Sequence, residues 1–198
     1  MEKIIVNAEE VSAFLKKIKD DNDIHKEPHK VLPGMFGLYL LERQVKRPIS
    51  NIKIDFKDIA KYPCELGVEL EEGESETAFK ILHKEEEIYS GLVGFDDEDD
   101  LNLNPFKFFS IYRVGGELLR HSESYFKDDE TGIYLSQEME FYRGKNPLDG
   151  VLKFGDMSGD RKARVIPLEY RLKEKTMAKG ISKVRPITKK LLERKFSR

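Results

Sequence analysis

His25 and His29 stand four residues apart, the spacing at which two imidazoles on one helix face would clasp a metal ion. Pro28 lies between them and the turn-forming run Asp20-Asp21-Asn22-Asp23 precedes them, so no continuous helix is expected. Position 26 is Lys where a zinc-protease pattern places Glu. Both are therefore read as surface loop histidines. The run Asp96-Asp97-Glu98-Asp99-Asp100 invites a calcium reading, but an EF-hand needs Gly at its sixth position and Glu at its twelfth. Those positions hold Leu101 and Lys107, and the run is read as a solvated acidic loop or an acidic docking face for something basic.

Gly155-Asp156-Met157-Ser158-Gly159-Asp160-Arg161-Lys162 has the glycines of a phosphate loop without its Lys-Ser/Thr, and reads as a turn. His121 beside Ser122 has no nucleophile elbow around it and is placed on a strand face. Asp55-Phe56-Lys57 is the nearest fragment to a nuclease grouping and lacks its acid partner. Cys64, the single cysteine, cannot form an intramolecular disulfide and reads as a buried or half-buried thiol in a reducing compartment. No catalytic set, no metal set and no cofactor is expected.

Charge is segregated. Residues 171–198 carry eleven Lys and Arg against Glu174 and Glu193, a net of +9, while the rest of the chain nets −11. Within that acidic remainder, residues 65–100 hold fourteen acids against Lys80 and Lys84. Such density costs self-repulsion unless something cationic meets it.

The elements around these groups follow from periodicity. Asn7-Ala8-Glu9-Glu10 resembles a capping box, and Val11, Phe14, Leu15 and Ile18 then recur at helical spacing, so a helix ending near Asp20 is predicted. Lys3 to Val6 reads as a first strand, and Met35 to Leu41, short and flanked by glycine, as a buried one. Alternation predicts strands around Ile52–Phe56, Leu66–Leu70, Thr77–Leu82, Ile88–Phe95, Val151–Phe154 and Arg164–Leu172. Pro167 would demote the last to an edge or mark a bulge. Between them, Phe106 to Tyr142 reads as a three-stranded meander turning at Gly115-Gly116 and at Asp128 to Gly132. It carries nine of the twenty Phe and Tyr residues and so supplies core. Thr188 is a candidate cap for a last short helix carrying Leu191, Leu192 and Phe196. No repeat at a solenoid or propeller period is present.

The fold expected is α+β: a mainly antiparallel sheet or open barrel with an N-terminal helix and a short C-terminal helix or tail. Residues 1–172 form one domain with an acidic surface, and 173–198 a basic C-terminal arm. The arm's Lys179, Lys183, Arg185, Lys189, Lys190, Arg194 and Lys195 would grip a partner or phosphates. The functional expectation is a non-enzymatic structural or interaction protein, of the kind found in viral, phage or mobile-element assembly, joined through self-association or a protein partner. The alternatives are a nucleic-acid-binding protein using the arm and an acidic inhibitor mimicking nucleic acid. No apolar run reaches the ~18 residues of a membrane span, which places the protein in the cytoplasm or an assembled virion.

Overall fold

The computed structural model describes residues 1–45, 47, 49–95, 109–142 and 150–196. Strand β1 (Glu2–Val6) leads into helix α1 (Ala8–Ile18), whose cap is the expected one: the Asn7 side-chain oxygen accepts the Glu10 backbone N–H at 2.8 Å. Val11, Phe14, Leu15 and Ile18 form its buried stripe. A 3-10 turn (Asp23–His25) precedes helix α2 (Gly34–Gln44). Four strands follow, β2 (Ile49–Phe56), β3 (Cys64–Glu72), β4 (Glu76–His83) and β5 (Glu86–Phe95).

The second part opens with three short helices, α3 (Phe109–Tyr112), α4 (Val114–Arg120) and α5 (Ser122–Tyr125). Then come β6 (Glu130–Phe141), β7 (Val151–Phe154), β8 (Ser158–Gly159), β9 (Arg164–Leu172), β10 (Lys175–Thr188) and α6 (Lys189–Phe196). All ten strands belong to one sheet, ordered β1-β3-β4-β5-β2-β6-β10-β9-β7, with β8 paired to β9. Every described pairing is antiparallel, as the α+β expectation required.

One topology occurs twice. Outward from the centre, the first part runs β2-β5-β4-β3 and the second β6-β10-β9-β7, the same succession of strands. Each set is preceded by helix, α2 in the first and α3 to α5 in the second. The corresponding strands β2 and β6 pair antiparallel at the centre, Ile52 opposite Met139 and Ile54 opposite Gln137.

Helix α2 occupies the core of the first part. Phe36, Leu38, Leu40 and Leu41 are almost wholly buried, and a helix apolar on every side must lie inside. A Cβ on Gly37 would stand 2.6 Å from the Tyr89 ring and 2.9 Å from the Ile81 side chain, so the helix axis lies close against the sheet. Phe14 of α1 packs edge-on against Phe36 at 5.3 Å, and Tyr112 of α3 packs against Phe14 at 5.6 Å. The Tyr112 hydroxyl donates to Glu42 at 2.7 Å, which satisfies a buried carboxylate at the far end of α2. Met35 to Leu41 is thus helix and not the strand that its length suggested; Glu42, Arg43 and Gln44 complete the turns.

Two further expectations are corrected. Among the described residues the meander has only its last strand, β6. Ile111, Tyr112, Val114 and Leu118 are buried at offsets of one, three and seven, a helical stripe, and Gly115-Gly116 lies inside α4. The segment 173–198 is not an arm. Residues Lys175–Thr188 are β10, bonded to β6 on one side and β9 on the other. Ala178, Ser182 and Val184 face inward while Lys179, Lys183 and Arg185 face outward, so alternation was present but its inner residues were small. Pro167 sits within β9 beside the gap between β7 and β8, where its carbonyl accepts the Gly155 N–H at 2.8 Å. Its missing N–H therefore interrupts no ladder.

Gly37→Val should lower stability by about 1–3 kcal/mol, the usual cost of overpacking, read as a shifted urea midpoint with unchanged slope.

Candidate active site

The loop between α1 and α2 is polar in sequence and partly exposed, but two of its side chains, Asp20 and His25, are turned inward. Lys19 ends α1 in the left-handed conformation, at φ 57°, and the Asp20 N–H returns to the Leu15 carbonyl at 3.0 Å. The Asp20 carboxylate accepts the Asn22 N–H at 3.1 Å, and the Asn22 side chain accepts the Ile24 N–H at 3.2 Å. These are Asx turns, each folding the chain back on itself. They deliver His25 facing Asp20, Nε2 to Oδ2 3.8 Å, with side-chain exposures of only 12% and 8%. The expectation of a surface histidine is corrected here.

Outside contacts lock this loop. The His25 carbonyl accepts the Tyr62 hydroxyl, and the Leu32 N–H donates to Ala60 at 2.8 Å. From the second part, Arg120 donates to the Lys19 carbonyl. A Cβ on Gly116 would stand 3.2 Å from that same carbonyl oxygen, so the glycine pair read as a hairpin turn is where α4 packs on the loop.

Electrostatics fix the state of the imidazole. Nδ1 lies 2.8 Å from the Val31 carbonyl, which can only accept, so Nδ1 carries the proton and Nε2 presents a lone pair. Burial pushes the His25 pKa below the ordinary 6.5, outweighing the opposing pull of the Asp20 charge. At neutral pH His25 is a neutral base with a carboxylate beside it. One water can donate to both atoms.

Both groups line a cavity of about 150 Å³ where the two parts of the chain meet. Its walls are apolar over much of their extent, with Ile18, Leu32, Phe56, Leu118, Phe126 and Val184 among them. Gly34 and Met35, the first residues of α2, lie in the wall as well. The cap position is Pro33, which offers no side-chain acceptor. The Phe36 N–H already donates to the Pro33 carbonyl at 2.9 Å, but the N–H groups of the first two helical positions, Gly34 and Met35, have no partner within their own helix, so this end presents donors and a positive dipole. An acid–base pair beside oxyanion donors is equipment for polarising a carbonyl and moving protons next to it.

The residues singled out from sequence are elsewhere. Lys179 pairs with Glu169 at 3.6 Å, and Lys183 and Arg185 are exposed on the outer sheet face. Lys189 donates to the Asp128 carbonyl at 2.9 Å; Lys190 and Arg194 are exposed on α6. The Lys195 side chain and Asp96, Asp97, Glu98, Asp99 and Asp100 lie outside the described residues. His121 is exposed at a turn between helices, not on a strand, and Cys64 is half-buried with its thiol pushed up by burial. Asp20 and His25 were missed because a run of Asp and Asn is ordinarily a solvated turn. The signal was its position, enclosed between the α1 stripe and the apolar run from Val31 to Leu41.

No family model matches the sequence, and no curated protein does. Solved structures match the fold. The 12:0-ACP thioesterase from Umbellularia californica is 10% identical over 94% of this chain and 93% of that one, with TM-score 0.57. An acyl-CoA thioesterase II, TesB2, from Mycobacterium marinum is 11% identical over 89% and 97%, TM-score 0.53. The dehydratase domain of PpsC from Mycobacterium tuberculosis, determined with C12:1-CoA, is 8% identical over 79% and 85%, TM-score 0.56. The shared architecture is the hot-dog fold.

These likenesses correct the expectation of a non-enzymatic assembly protein, viral, phage or otherwise, because the fold neighbours are thioesterases and a dehydratase domain. The nucleic-acid and inhibitor alternatives are set aside with it; the first rested on a free arm that is strand β10.

Nuclear magnetic resonance titration of His25 should give an inflection below 6.5, and Asp20→Asn should move it lower still, since the Asp20 charge is what raises it. An inflection at or above the ordinary value would show a solvated ring.

Proposed function

We propose that this chain is an acyl-thioester enzyme that adds water reversibly across the double bond of a 2-enoyl thioester. The observation carrying the reading is the buried Asp20–His25 pair set in one cavity with the uncapped start of α2. The names of the fold neighbours, which include acyl-CoA and ACP thioesterases and a dehydratase domain, support the substrate class.

The chemistry follows from the groups. A water held by His25 Nε2 and the Asp20 carboxylate gives its proton to Nε2 as its oxygen bonds to Cβ. The double-bond electrons move toward the thioester oxygen, where the Gly34 and Met35 N–H groups meet the developing negative charge. The Asp20 charge steadies the imidazolium, which returns the proton to Cα. One water is consumed, its hydrogen and hydroxyl added to neighbouring carbons from the same side. The reverse sequence removes water from a 3-hydroxyacyl thioester.

Hydrolysis of the thioester would use the same oxyanion donors and one base. A thiolate leaves readily without being protonated, its conjugate thiol having a pKa of about 8.5. A second acid–base group beside the first suits better a reaction that moves a proton between two adjacent atoms. The cavity's size fits a short acyl group: a void of about 150 Å³ holds a ligand the size of benzene, roughly six carbons.

Incubation with a short 2-enoyl-CoA should lower the conjugated ultraviolet absorbance to an equilibrium plateau without releasing thiol. His25→Asn and Asp20→Asn should each lower kcat/KM by about 10²–10⁴-fold. Thiol release with the double bond intact would identify a hydrolase instead. For the wild type, kcat/KM should be flat near neutrality and fall as pH drops through a value below 6.5, because protonation removes the base.

A further inference from the structure

Strand β6 alternates Ser136, Glu138 and Glu140 outward, and by that parity Tyr134 would face outward too. It does not. The β6–β10 register shifts between Lys183 and Val184, leaving Leu135 as an extra residue, so that Tyr134 pairs with Val184. A bulge reverses the side-chain alternation beyond it and re-aims the next residue. Tyr134 and Val184 consequently both line the cavity that holds Asp20 and His25.

The Tyr134 ring is held against Phe56, centroids 5.7 Å apart, and Phe56 in turn stands edge-on to Tyr89 at 5.5 Å. The hydroxyl at the end of this fixed ring is buried and has no hydrogen-bond partner among the described residues. Leaving a buried hydroxyl unpaired is costly, and native proteins rarely do so without a ligand or function to satisfy it. Burial first, and the Asp20 charge second, push its pKa up, so the group stays protonated and can donate.

We propose that Tyr134 is a substrate-contacting residue whose hydroxyl donates to the oxygen on Cβ, the attacking water in one direction and the substrate hydroxyl in the other. The assignment rests on the water-addition reading. The α2 donors there serve the thioester oxygen, which leaves the oxygen at Cβ as the one still needing a donor. The bulge in β6 would then be the device by which the second part of the chain supplies a residue to the first part's acid–base pair.

Tyr134→Phe keeps the ring and its packing on Phe56 while removing the hydroxyl. In the full-length protein the variant should bind 3-hydroxybutyryl-CoA about tenfold more weakly, one hydrogen bond's worth, and lose kcat/KM for its dehydration by at least as much. Binding of butyryl-CoA, which has no oxygen at Cβ, should be unchanged, and the ligand-free Tm should not fall. Equal behaviour of variant and wild type toward both thioesters, or an equal loss for both, would overturn the assignment while leaving the Asp20–His25 chemistry standing. A wild type that neither binds nor turns over either thioester would overturn the acyl-thioester reading and this assignment together.

Discussion

Burying a helix whose first eight residues are apolar brings its N-terminal end inside along with its sides. Near the C-terminus of α2 the buried Glu42 carboxylate accepts the Tyr112 hydroxyl, and the Val45 N–H closes the last turn on the Leu41 carbonyl. The other end of the helix begins at Pro33-Gly34 with no side-chain cap, and its first two residues, Gly34 and Met35, line a cavity. Buried backbone donors must meet an acceptor or cost free energy. In the proposed reading a ligand oxygen is that acceptor, and the rest of the site is arranged around it.

The sheet supplies the walls. Because β2 and β6 pair at the centre, the α1–α2 loop of one part and α4 and β6 of the other converge on the same cavity. The glycine pair in α4 brings that helix against Asp20, and Arg120 ties it to the loop carbonyl. Each part alone would leave the pocket open on one side. The duplication of topology is therefore also the means by which a single chain closes its site, with the acid–base pair from the first part and much of the facing wall from the second.

Much of the fold was legible in the sequence where period and punctuation agreed. Helix α1 announced itself by a cap and a four-residue stripe, and β2 and β3 by clean alternation. Failures came where burial overrode the local signal. Met35 to Leu41 has no polar face to reveal a helical period, and Gly37, which favoured a strand reading, is there for close approach to Tyr89. In β10 the inward residues are Ala178, Gly180, Ser182 and Val184, too small to stand out among lysines. There Gly180 lets the strand pass β6, since a Cβ would meet the Glu138 carbonyl at 2.2 Å. The site was hidden for a related reason: Asp20, Asn22 and His25 have the composition of a solvated turn, and only the tertiary fold brings Asp20 and His25 together on one cavity. The charge segregation was real in sequence, yet the cations of β10 lie along a sheet face.

The central claim is that the start of α2 holds the thioester oxygen. The most direct measurement is the infrared stretch of an isotopically labelled thioester carbonyl bound to the His25→Asn protein, where the ligand can sit without turning over. Hydrogen bonds from the Gly34 and Met35 N–H groups should lower that frequency relative to the same thioester free in water. A frequency equal to the free value, or raised toward that in an apolar solvent, would show that the carbonyl is not held there and would contradict the account.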